Sequence, residues 1–156
     1  MKKITYLLTL LTIISYCAIC QDNNDAEIQE VYKHYVGVNV GATTGIGLAY
    51  KYHPRKFGHQ ITCLPLLVDD VFHASVAYTT FFSLKKKTET ELVLFAAHHV
   101  TDFYTGNYTY NFGIGPGFEL HVDEISGHIL LGYGIYNVPD NITALPTLDL
   151  ALFYRF

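Results

Sequence analysis

Residues 147–156, Thr-Leu-Asp-Leu-Ala-Leu-Phe-Tyr-Arg-Phe, divide into two faces. Successive side chains of an extended strand point to opposite sides, so Leu148, Leu150, Leu152, Tyr154 and Phe156 line one face. Thr147, Asp149, Ala151, Phe153 and Arg155 line the other. The first face is apolar at every position and the second carries both charges, which is the pattern of a strand with one side in an apolar medium.

The same split recurs upstream. Tyr110, Phe112, Ile114, Pro116 and Phe118 oppose Asn111, Gly113, Gly115, Gly117 and Glu119. Ile125, Ile129, Leu131, Tyr133 and Ile135 oppose Ser126, His128, Gly132 and Gly134, with Leu130 the exception. Val36, Val38 and Val40 alternate with Gly37, Asn39 and Gly41, and Ile46, Leu48, Tyr50 and Tyr52 with Gly47, Ala49, Lys51 and His53. The parity of 91–100 is ambiguous, and 59–67 is apolar on both sides beyond Thr62. Turn residues between the runs define eight strands, at 34–41, 46–53, 59–67, 73–84, 90–100, 109–120, 125–136 and 146–156. Pro65 and Pro116 fall inside two of them and, lacking a ladder donor, predict either a bulge or different strand limits.

The connections form two series. Those at 54–58, 85–89 and 121–124 are short and charged, while those at 42–45, 68–72, 101–108 and 137–145 lengthen along the chain. An even strand count, short turns at one end and longer loops at the other predict an all-β, antiparallel, up-and-down eight-stranded transmembrane barrel over 34–156. In lipid every backbone polar group must be paired, and a sheet closed on itself leaves no open edge. The 13 Tyr and 10 Phe can furnish interfacial girdles, with Tyr52, Phe82, Tyr110, Tyr133 and Tyr154 as candidates.

Composition supports this reading. Charged residues are 15% of the 156, aromatics 15% and the hydrophobic set 50%, which excludes a disordered chain. The net charge of −4 has no basic excess to hold nucleic acid. Lys2 and Lys3, the apolar run at 4–14 and the small residues Ala18 and Cys20 predict a signal peptide over 1–20, cleaved before Gln21. A polar leader follows at 21–33. The apolar stretch is too short and Thr-rich for a membrane anchor, and bulky Ile19 opposes a lipidated Cys20. Cleavage leaves Cys63 as the sole thiol, which excludes an intramolecular disulfide.

With Phe156 last and Tyr154, Leu152, Leu150 and Leu148 alternating before it, the chain resembles the small eight-stranded outer-membrane barrels of the outer-membrane protein A and X type. The Gln21 start and Tyr/Gly-rich strands are similar to barrels of Bacteroidetes-type bacteria. The resemblance implies that these five terminal residues are an insertion signal read by the barrel-assembly machinery. It also implies a porin-like cell-envelope barrel in the outer membrane of a Gram-negative bacterium, in contact with outer-membrane lipid.

Candidate chemistry is sparse. The interior face carries Asn39, Lys51, His53, Glu119, His128, Asp149 and Arg155, expected to pair across strands into a polar plug rather than a pore. Asp149 and Arg155 are too far apart on one strand to pair directly. Of the eight histidines, His98 and His99 point to opposite faces and cannot chelate together, while His53, His59 and His121 lie near turns. No metal and no cofactor is expected. His73 and Ser75 share a face, after Asp69 and Asp70, but two residues along one strand leave them about 7 Å apart, too far for a hydrogen bond. The glycine sets match no nucleotide motif. The reading is a non-enzymatic barrel that meets an extracellular partner through Tyr104, Asn107, Tyr108 and Asn141, residue types suited to adaptable recognition. Two alternatives stay open. One is a lipid-modifying enzyme of deacylase or acyltransferase type, tested at His73, Ser75, His98 and Asp102; the other is a soluble lipocalin-like barrel with the faces reversed.

Overall fold

The computed structural model describes residues 32–68, 71–87, 89–101, 108–139 and 141–156. The expected signal peptide and most of the leader lie outside the described residues. Eight antiparallel strands form one closed barrel: β1 (His34–Gly41), β2 (Gly45–Tyr52), β3 (Phe57–Val68), β4 (Val71–Lys86), β5 (Thr90–Thr101), β6 (Thr109–Val122), β7 (Ile125–Val138) and β8 (Thr143–Arg155). Each strand pairs with its sequence neighbours, and β1 closes on β8 with Val36 opposite Tyr154 and Val40 opposite Leu150. Up-and-down closure removes the edges on which such a sheet would otherwise aggregate.

β3, β4, β6, β7 and β8 run a few residues longer than the alternation predicts, because ladder pairing continues where the apolar pattern fades. The last outer connection shrinks accordingly from the expected 137–145 to 139–142. The prolines do not behave as expected. Pro65 pairs opposite Ala74 and Pro116 opposite Leu94 in unbroken register, so each costs one donor without a bulge. The register shifts lie elsewhere, between Ser83 and Lys85 and between Tyr110 and Phe112.

Large apolar side chains face outward all around the barrel: Val38, Leu48, Ile61, Val76, Leu94, Ile114, Ile129 and Leu150 are exposed in successive strands. Pairing settles the parity of β5, turning Glu91, Val93, Phe95, Ala97, His99 and Thr101 inward. Tyr52, Phe82 and Tyr154 stand outside near the end where β1 begins and β8 finishes, the terminal end, with Phe82 against Phe57. Tyr110 and Tyr133 stand toward the opposite end, where His98 stacks on Tyr110 and Phe112.

Inside, two apolar clusters fill much of the lumen. Phe81, Val93, Phe95, Ala97 and Leu130 form one, and Tyr35, Ala49 and Phe153 the other. Leu130, the exception to its strand's alternation, is fully buried because it fills the space above Gly117. An eight-stranded barrel is just wide enough for such filling, so the lumen is a packed core.

Candidate functional site

Polar residues lie at both ends of this apolar waist. Away from the terminal end, the β1–β2 turn folds into the lumen and buries Thr43 and Thr44 completely. The space comes from β6, where a Cβ on Gly113 would collide with Thr43. Thr43 Oγ1 donates to Asp149 Oδ2 at 2.8 Å, and Thr147 Oγ1 donates to Asp149 Oδ1 at 3.2 Å. Asn39 Nδ2 donates to Thr44 Oγ1 at 2.9 Å and to the Gly45 carbonyl at 2.5 Å. Ser75 Oγ lies 2.6 Å from His99 Nε2, and His99 Nδ1 donates to the Ala42 carbonyl at 2.9 Å. With Nδ1 protonated, Nε2 accepts from the serine, a hydroxyl–imidazole dyad oriented by a backbone carbonyl.

The opposite end is charged. Lys51, from β2, places Nζ 2.5 Å from Glu119 Oε2 of β6 and 4.4 Å from the centre of the Phe81 ring. Both charges are wholly buried, so the pair depends on further hydrogen bonds to offset desolvation. Ser126 supplies one, donating to Glu119 Oε1 at 2.9 Å, and its Oγ lies 3.1 Å from His121 Nδ1. Glu91, at the start of β5, is surrounded by His53 Nε2 at 3.6 Å, His121 Nε2 at 3.5 Å and Lys86 Nζ at 3.7 Å. His53 lies in the turn just beyond β2, and its imidazole packs where a Cβ on Gly58 would come within 2.7 Å. Burial, reinforced by the Lys51 charge, pushes this imidazole down to about 4.

The structure therefore places Asn39, Lys51, His53, Glu119, His128 and Asp149 in the lumen, Asn39 and Asp149 at one end and Lys51, His53 and Glu119 at the other. His128 belongs to neither end, packing between the rings of Phe81 and Phe153 at the waist. Arg155 sits at the rim and donates through Nε to the Asp123 carbonyl at 3.0 Å, so its partner is backbone rather than a lumen acid. Leu148, Leu150, Leu152, Tyr154 and Phe156 all face outward. Tyr108 and Asn141 are exposed away from the terminal end. Tyr104, Asn107, Asp69, Asp70 and Asp102 lie outside the described residues. Ser75 pairs with His99 of the neighbouring strand, while the His73 side chain lies outside the described ones.

Glu91, His121, Thr43 and Thr44 are lumen residues that the alternation alone does not single out. Glu91 opens the strand of ambiguous parity, and Thr43 and Thr44 belong to a segment with the composition of an exposed turn. The class defined by these features is a closed eight-stranded antiparallel barrel with an apolar outside and a plugged, polar-ended lumen. No protein-family model matches the chain, and no curated protein matches it either.

Proposed function

We propose that this chain is a non-enzymatic outer-membrane barrel of a Gram-negative cell envelope, exported by its N-terminal segment and meeting an extracellular partner through its outer loops. The observation that carries the reading is the outward belt of large apolar side chains around a buried polar lumen. In water such a belt would be an aggregation liability many times the size of the apolar patches soluble monomers tolerate; in lipid it is the favoured surface. A soluble ligand-binding barrel would turn those residues inward. The filled waist and the tucked β1–β2 turn favour a scaffold over a pore. Outer-membrane lipid and the barrel-assembly machinery, which would read the strand ending at Phe156, are the partners this reading requires. Tyr108 and Asn141 are the described residues placed to touch an external one.

The test is fractionation of the expressed protein followed by electrophoresis with and without boiling. Outer-membrane protein that migrates differently after heating is the expected result; soluble protein without a heat-dependent shift would sink the reading. A second reading, a lipid-modifying enzyme, has one observation in its favour, the 2.6 Å Ser75–His99 contact with His99 anchored on Ala42. Its test is lipid A mass spectrometry of Ser75→Ala and His99→Ala strains, in which an unchanged acylation profile rejects it.

A further inference from the structure

The charged end of the lumen holds more polar atoms than its hydrogen bonds use. His53 Nε2, His121 Nε2 and both oxygens of Glu91 are buried and make no hydrogen bond among the described residues. Buried polar groups are almost always satisfied, so four unsatisfied atoms gathered at the Glu91 carboxylate require an explanation. Their spacing suggests one. The separations of 3.5 and 3.6 Å between Glu91 and the two imidazoles are too long for hydrogen bonds. They are close to the roughly 3.3 Å that separates ligand atoms around a tetrahedral ion with bonds of about 2.0 Å.

The protons point the same way. Ser126 has one hydroxyl proton, given to Glu119, so the 3.1 Å contact with His121 is made by an Nδ1–H donating to Ser126 Oγ. His121 Nε2 then faces the Glu91 carboxylate from 3.5 Å, and a cation between the two would give both atoms a partner. This is also how metal-bound histidines are oriented, with the second ring nitrogen held by an outer partner. Donor atoms of His53, Glu91 and Glu119 lie within 4.8 Å of one another.

We propose that the charged lumen end is a binding site for a divalent cation of the zinc class, with His53 Nε2 and the Glu91 and Glu119 carboxylates as ligands. His121 Nε2, 3.5 Å from the other Glu91 oxygen, is the nearby fourth donor, and Ser126 orients it. Imidazole and carboxylate donors together suit zinc better than calcium or magnesium, which prefer oxygen alone. The site lies inside the closed barrel and does not depend on the membrane reading. The competing arrangement is a metal-free ion pair in which protonated His121 and Lys86 balance Glu91.

The experiment uses the full chain without a histidine tag, dialysed against chelator and then titrated with Zn²⁺ alone, counting bound zinc by mass spectrometry. One zinc per folded chain is expected, and its binding should raise the temperature at which the folded electrophoretic band is lost. His53→Gln, Glu91→Gln and Glu119→Gln should each weaken binding by roughly 100-fold or more, and His121→Gln and Ser126→Ala by about 10-fold. His59→Gln is the control, since His59 faces outward against Tyr78, and should change nothing. Co²⁺ in place of zinc should give the visible absorption of a four-coordinate site in the wild type and lose it in His53→Gln. Each variant is read only on its folded band, and Ser126→Ala, which removes no ligand, keeps the test decisive if a ligand variant misfolds. Sub-stoichiometric zinc, or uptake unaltered in His53→Gln and Glu91→Gln, would overturn the proposal in favour of the ion pair.

Discussion

The two ends of the lumen solve the same problem in opposite ways. Away from the terminal end, Asn39, Thr43, Thr44, Ser75, His99, Thr147 and Asp149 are joined largely through hydroxyls and amides, and the β1–β2 turn lends them the carbonyls of Ala42, Thr44 and Gly45. At the other end Lys51, Glu91, Glu119, His53 and His121 meet as charges and imidazoles, and no backbone carbonyl reaches their side chains among the described contacts. A tucked turn satisfies most of one end, leaving Asn39 Oδ1 unpaired among the described contacts. The other is left with unsatisfied nitrogens and oxygens, and for that reason is the more chemically available.

The largest expected effect comes from breaking the charged end. Lys51→Met strands Glu119 in the lumen and should cost about 3–5 kcal/mol, measured as a lower urea midpoint for loss of the folded band. The double variant Lys51→Met/Glu119→Leu should recover most of that loss; if it remains as unstable as the single variant, the penalty is packing rather than an orphaned charge. On the outer wall, away from both ends, Leu150→Arg should cost about 2–4 kcal/mol in a bilayer, where the charge has no lumen partner. Equal stability of this variant and wild type in lipid vesicles would contradict the assignment of faces.

At the hydroxyl end the effects are smaller. Gly113→Val should eject Thr43 from the mouth and leave Asp149 with a lost donor, costing about 1–3 kcal/mol, with faster proteolysis at the β1–β2 turn as the local readout. Ser75→Ala should cost only about 0.5–1.5 kcal/mol, because His99 keeps its bond to Ala42. A Ser75→Ala loss as large as that of Lys51→Met would erase the contrast between the ends.

Much of the barrel is legible in the chain. Leu148, Leu150 and Leu152 against Thr147, Asp149 and Ala151 declare a strand and its two faces, because side-chain direction in a strand depends only on position modulo two. The same rule puts Asn39, Lys51, Glu119 and His128 on the inner side. It fails at Glu91, where apolar residues fall on both faces and only pairing with β4 and β6 settles the orientation. It fails again at Pro65 and Pro116, since whether a missing N–H disrupts a ladder depends on the register of the neighbour.

Local alternation and turn chemistry by themselves determine the eight strands, their order and the split into an apolar and a polar face, because these follow from nearest-neighbour geometry. That the apolar face turns outward is decided by the closed barrel. Which inner residues meet is decided only by closure. Bringing β1 to β8 and setting the stagger of every pair places Lys51 beside Glu119 and Ser75 beside His99 across 68 and 24 residues of chain. No short-range signal encodes such distances; the circumference of the barrel and the volume available inside it do.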